Sequence, residues 1–148
     1  MPSKKVSTQS GVYPKGSIDF GRAYSEFIAR LPPNTGSVTS FLGVSRLESY
    51  DGKKKIKYLV MESYEEHANK VLGKICKELK KKYNLTDILI VHALGKFKPG
   101  EPVVMVVLSS PRRVQSFKAL EEAVERYKNE PALFKQEIYV DGSSAWIH

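Results

Sequence analysis

Apolar side chains recur along this chain in three helical stripes and several strand-like runs. Asp19 caps a helix with apolar positions Phe20, Tyr24, Phe27, Ile28 and Leu31, closed by Pro32-Pro33 and Gly36. SVTSFLGV then alternates as a strand, Val38 and Ser40 against Thr39 and Phe41, and Gly43 marks a bulge or close backbone approach. LESYDGKKKIKYLVMES places Asp51-Gly52, a hairpin-turn pair, between two strand-like runs. Glu65 to Tyr83 is an amphipathic helix with Ala68, Val71, Leu72, Ile75 and Leu79 on one face. DILIVHAL has no wet face and reads as a buried strand, GKFKPGEP as a turn, and PVVMVVLSS as a second apolar strand.

Ser110 then suits an N-cap and Pro111 the first position of a third helix. Its apolar stripe is Val114, Phe117, Leu120, Val124 and Tyr127, and Pro131 ends it. EIYVDGSSAWIH closes the chain as a hairpin around Asp141-Gly142, with Trp146 as a packing residue. This order argues for a single α+β domain with a mixed, mostly antiparallel sheet and packed helices. Residues 1–17 are polar and punctuated by Pro and Gly, hence a flexible or edge-paired segment; residues 18–148 form the domain.

The 148 residues carry a net charge of +8, which favours anionic partners without choosing among nucleic acid, phosphate ligand and acidic protein. No apolar run reaches about 18 residues, so no membrane partner is expected. The first residues lack the apolar core of a signal peptide, which predicts a cytoplasmic protein. A single cysteine, Cys76, fits a reducing compartment; at the edge of its helix stripe it reads as packing. His67, His92 and His148 lie far apart, so no metal spacing exists, and His92 reads as a hydrogen-bonded structural residue. No metal and no resident cofactor are expected. Lys53, Lys54 and Lys55 at the hairpin tip read as solvated turn lysines.

The candidate chemistry lies in SSPRRVQSFKALEEAVERYKNEPALFKQE. Arg112 and Arg113 fall at a helix start, where the dipole disfavours each cation by roughly 0.3–1 kcal/mol. An anion such as a phosphate between them would reverse that cost; a solvated basic turn is the plainer alternative. Lys128 lies eleven residues after Phe117, within roughly 20° of it around the helix, near the expected buried face. There it is either a partly desolvated, reactive amine or an ordinary cation at a helix C-terminus. Lys135 follows seven residues later.

The order S-x-R-R-x-x-x-F, Y-K and P-x-x-F-K-x-E resembles the catalytic large subunit of molybdopterin synthase, the MoaE family. TGSVTSFLGVSR, the Glu62-Ser63-Tyr64 run and HALGKFKPGEP match further landmarks, so the resemblance covers about Gly36 to the C-terminus. It implies an α/β-hammerhead fold and conversion of cyclic pyranopterin monophosphate to molybdopterin. Two sulfurs would come from the C-terminal thiocarboxylate of the ubiquitin-like small subunit MoaD, a transferase reaction. It implies catalysis by Lys128 and Lys135, and substrate binding by Val44, Ser45, Arg46, Arg112, Arg113, Gln136 and Glu137. Which lysine is the acid is left open.

Two positions depart from the family pattern: Arg112 stands where His is usual, and Phe134 where Trp is usual. Arginine anchors phosphate but is no base near pH 7, so an anchoring role at 112 survives and a proton-transfer role does not. From Pro111 to about Asn129 the helix would hold Arg112 and Lys128 roughly 24 Å apart, more than one pterin monophosphate bridges. A homodimer, at the centre of a heterotetramer with MoaD, would unite lysines of one chain with arginines of the other. The rival reading is a non-enzymatic basic module that binds nucleic acid or a ubiquitin-like tail; no nucleic-acid motif supports it.

Overall fold

A computed structural model describes residues 7–147. The elements run β1 (Gly11–Pro14), α1 (Phe20–Ala29), β2 (Ser37–Val44), β3 (Ile56–Ser63), α2 (Glu65–Lys82), β4 (Asp87–Phe97), β5 (Pro102–Ser110), α3 (Arg113–Asn129), β6 (Leu133–Tyr139) and β7 (Ser144–Ile147). One seven-stranded sheet has the order β2-β5-β4-β3-β6-β7, with β1 added parallel to β4 and every other pairing antiparallel. The mixed, mostly antiparallel α+β architecture is therefore realised.

β4 joins two half-sheets. Its residues 87–92 pair with β5, and residues 95–97 pair with β3. Gly95 sits where the partner changes, at φ 137°, a conformation that L side chains rarely adopt. α2 and α3 cover one face of the first half-sheet, enclosing Leu72, Ile75, Leu79, Ile90, Val106 and Leu108. α1 covers the other face, where Phe27 and Ala23 meet Val91, Met105 and Val107. β4 and β5 are buried on both faces, which is why their sequences lack alternation.

Several local expectations shift. The residues that begin the segment expected to be flexible, 1–6, lie outside the described residues. Gly11–Pro14 is edge-paired as the parallel strand β1, and Val12 is buried. Only an isolated bridge, Glu48↔Lys55, forms across the Asp51-Gly52 turn, so the first of the two strand-like runs is a loop. GKFKPGEP is strand as far as Phe97 and turns only afterwards.

Ser110 is the last residue of β5, fully buried, and not the N-cap of α3. Its hydroxyl donates to the Arg112 carbonyl at 2.6 Å and shares a 2.6 Å bond with the Ser116 hydroxyl. Arg112 occupies the cap with no side-chain hydrogen bond, and the helix begins at Arg113. The face of α3 laid on the sheet is Ser116, Ala119, Ala123 and Tyr127. Small residues let the helix backbone approach closely, and the Ser116 hydroxyl finds partners in Ser110 and Ser37. Val114 and Phe117, expected in the core, are consequently 57% and 60% exposed. Trp146 is likewise half out of the core, 54% exposed.

Candidate active site

β6 reverses the usual division of a strand. Lys135, Glu137 and Tyr139 point to the inner face, opposite Met61, Leu59 and Ile56 of β3, all three of them buried. Phe134, Gln136 and Ile138 occupy the alternate face, and the exposed Phe134 packs edge-on against Tyr64 at 5.5 Å. A lysine and a glutamate on the inner side of a strand are costly to bury and read as functional.

Lys135 is half-buried, and burial is the main force holding its amine below the ordinary lysine range. Glu137 opposes that effect, whereas Arg46 and Lys128 reinforce it. The same electrostatics place three cations from three elements in one neighbourhood: Arg46 after β2, Lys128 near the end of α3, and Lys135 on β6. A depressed lysine among cations yields its proton readily and attracts anions.

Arg46 is exposed, its guanidinium 5.8 Å from the ring centre of Tyr50. Ser45 anchors the loop behind it: its N–H donates to the Glu101 carbonyl at 2.9 Å, and its own carbonyl accepts from Gly100 at 2.8 Å. Its backbone is thus engaged in fixing the β4–β5 turn, while its buried hydroxyl has no protein partner among the described residues. Val44 lies beyond the bulge after Gly43 and is exposed. A Cβ on Gly43 would meet Val104 Cγ1 at 2.5 Å, so close approach explains that glycine.

Lys128 is exposed, contrary to the position near a buried face expected from Phe117. The reason is the rotation of α3 described above: Phe117 itself faces outward. Gln136 is half-buried on the outer face of β6, and Glu137 is only 2% exposed. Arg112 and Arg113 are exposed at the far end of α3, roughly 24 Å from Lys128 by helix rise. One chain therefore assembles Arg46, Lys128, Lys135 and Glu137 and leaves the arginine pair apart.

Beneath the lysines lies His92, 2% exposed on β4. Its Nδ1 donates to the Ala93 carbonyl at 2.8 Å, and its ring meets Tyr127 edge-on at 6.1 Å. Burial pushes it down to about 4, so it is neutral near pH 7, the hydrogen-bonded histidine expected from sequence. Sequence reasoning passed over Tyr139, whose hydroxyl donates to Glu137 at 2.9 Å. The signal was available: in EIY, a glutamate and a tyrosine two apart on one strand share a face. Cys76 is buried against Ser10, and burial raises its thiol, so it is a packing residue. Among the described residues, no three His, Cys, Asp or Glu side chains gather as a metal would require.

With this fold and cationic site in view, comparison with known proteins gives a consistent answer. The family model described as MoaE protein matches residues 15–130. The chain belongs to the MoaE family. A molybdopterin synthase catalytic subunit from Pyricularia oryzae is 34% identical over 114 residues, 77% of this chain and 62% of that protein. The chain thus spans less than two thirds of that relative's length. The crystal structure of molybdopterin synthase from Staphylococcus aureus superposes with TM-score 0.82 at 28% identity, covering 95% of this chain and 98% of that one. The hammerhead-type fold is shared with it. A complex of subunits 1 and 2 of molybdopterin-converting factor from Helicobacter pylori gives TM-score 0.68 at 20% identity, covering 93% and 86% of the two chains. That identity speaks to fold alone. Lys135, Gln136 and Glu137 lie beyond the stretch matched by the family model.

Proposed function

We propose that this chain is the catalytic subunit of a molybdopterin synthase, a sulfurtransferase that converts cyclic pyranopterin monophosphate to molybdopterin in the cytoplasm. The observation that carries the reading is the half-buried Lys135, its amine depressed, in the field of Arg46 and Lys128. The small subunit, MoaD in the family, threads its C-terminal thiocarboxylate toward these cations. Its sulfur attacks a substrate carbon and displaces an oxygen substituent from it, the C–S bond forming as the C–O bond breaks. Water then cleaves the acyl–sulfur bond, leaving sulfur on the pterin and a carboxylate on the tail, and a second thiocarboxylated tail delivers the second sulfur in the same way. Lys135 and Lys128 balance the negative charge that develops on the carbonyl and supply the proton. Arg46 binds the anionic substrate.

The arginine pair is supplied by a second copy of the chain. Two observations support this. Arg112 and Arg113 are too distant to reach a ligand held by their own chain's lysines. Beside them the exposed Val114 and Phe117 present apolar surface of the kind another chain covers. At position 112 arginine anchors phosphate and takes no proton.

The direct test mixes the chain with thiocarboxylated small subunit and cyclic pyranopterin monophosphate and measures molybdopterin by mass spectrometry. Product is expected, and a small subunit lacking its last two residues should give none. Full turnover on inorganic sulfide alone would remove the tail as donor. Salt-sensitive binding to DNA or RNA of any sequence, with no pterin product, would favour the basic-module reading.

A further inference from the structure

Glu137 is a buried carboxylate that forms no ion pair among the described residues. An unpaired buried carboxylate is expensive, and a single donor has to hold it. That donor is Tyr139, itself 7% exposed, through the 2.9 Å bond from its hydroxyl to Oε1. We infer that Tyr139 is a positioning residue of the site, its phenol fixing the carboxylate of Glu137 beside Lys135.

Three features make the phenol a rigid support. The Lys54 amine lies 5.0 Å from the centre of the Tyr139 ring. Lys54 is itself tied to the β6–β7 turn, donating to the Ser143 hydroxyl at 2.7 Å and pairing with Asp141 at 3.5 Å. The Val140 N–H donates to the Lys55 carbonyl at 2.9 Å, so loop and strand are joined on both sides of the ring. The hydrogen bond to Glu137 is the first cause raising the phenol above its usual range, burial the second, with Asp51 and Asp141 adding to it. It therefore remains a donor across the neutral range.

Lys135 and Glu137 are two residues apart, about 7 Å along one face of β6. The groups facing Lys135 are Glu137 on its own strand, Arg46 from the loop after β2, Lys128 from α3, and neutral His92 from β4. Met61 of β3 and Ile147 of β7 flank it in register and carry no charge. Glu137 is thus the one anion among these groups, and its fixed position keeps the Lys135 ammonium from losing its proton further below the lysine range. The basic loop at residues 53–55 thereby acts on the site through Lys54, Tyr139 and Glu137.

The significance for turnover rests on Lys135 being the working lysine, but the test need not. In the full chain, lysines are reductively methylated with 13C-formaldehyde, and the Lys135 resonance, assigned through Lys135→Arg, is titrated by NMR. Tyr139→Phe keeps the ring and is expected to lower the Lys135 midpoint by about half a pH unit, a threefold loss of proton affinity. Glu137→Gln should lower it at least as far, and adding Tyr139→Phe to Glu137→Gln should change nothing more. Incorporating 4-fluorophenylalanine at 139, which keeps the ring and nearly the size of the hydroxyl but cannot donate, should lower the midpoint as Tyr139→Phe does and covers the case that Tyr139→Phe misfolds; a wild-type midpoint there also overturns the inference. A midpoint unmoved by Tyr139→Phe, or lowered equally with and without Glu137, overturns the inference. If these shifts occur in a chain that makes no molybdopterin, the functional reading fails and the positioning role stands.

Discussion

At its carboxyl end α3 brings Lys128 into the field of Lys135 and Arg46, whereas at its amino end Arg112 and Arg113 stand exposed beside Val114 and Phe117. Both ends are cationic, yet only the first meets a partly buried inner face. There β6 supplies a desolvated lysine and a buried carboxylate and β4 a neutral histidine, so charge acts through a medium that screens it weakly. The arginines at the other end stand exposed in a single chain, next to the exposed Val114 and Phe117. The carboxyl end gathers its groups within one chain, whereas the amino end, in the proposed dimer, completes the site of a second copy.

The sharpest way to break this contrast is Lys135→Ala. Turnover should fall more than tenfold, over about 1.4 kcal/mol in the barrier, while melting temperature and small-subunit binding are kept. Retention of more than a tenth of wild-type turnover would strip the carboxyl end of its assigned chemistry.

Complementation tests whether the two ends meet across a dimer. Arg113→Ala and Lys135→Ala chains, each inactive, are mixed and allowed to exchange subunits. Every mixed dimer then holds one undamaged pocket, and about a quarter of wild-type activity should return at random exchange. A mixture that stays inactive, with exchange shown by mass spectrometry, would mean that each pocket is built within one chain.

The surroundings of the carboxyl end also predict a pH effect on stability. His92 is depressed from 6.5 to about 4 in the folded chain. Between those values the unfolded chain binds a proton that the folded chain refuses, so stability falls as pH drops through the window. The loss is on the order of 3 kcal/mol by pH 4. Denaturant melts from pH 7 to 4 should show this slope in the wild type and a flatter one in His92→Leu; equal slopes would contradict a neutral buried imidazole.

The mildest change probes the arginine end. Arg112→His, which restores the residue usual in the family, should alter turnover by no more than about threefold, ~0.7 kcal/mol, if the position only anchors phosphate. A new acid limb near pH 6.5 in the rate profile would instead reveal a proton-transfer role there.

Most elements were legible from periodicity. The Asp19 cap, the 65–82 helix, the continuous apolar run of β5 and the Asp141-Gly142 turn each follow from local chemistry. The face of α3 was not legible. Val114, Phe117, Leu120, Val124 and Tyr127 make a good helical stripe, but Ser116, Ala119, Ala123 and Tyr127 make another, rotated by roughly 90° at about 100° per residue. Periodicity weighs side-chain size and favours the first; close packing on the sheet selected the second.

The candidate site divides in the same way. Read along the chain alone, the residues show which positions carry charge, that Lys128 and Lys135 flank a helix-ending proline, and that one helix is too long to join its two ends at one ligand. Those properties are set by residue type and by helix rise, which neighbours cannot alter. That β6 turns Lys135, Glu137 and Tyr139 inward follows from strand pairing instead, because a period of two allows either face until β3 and β7 pair with it. The same holds for Arg46 and Lys128, brought to Lys135 from two other elements. Their approach, and the burial that depresses the lysine, depends on how β4 hands the sheet from β5 to β3, and no local pattern encodes that.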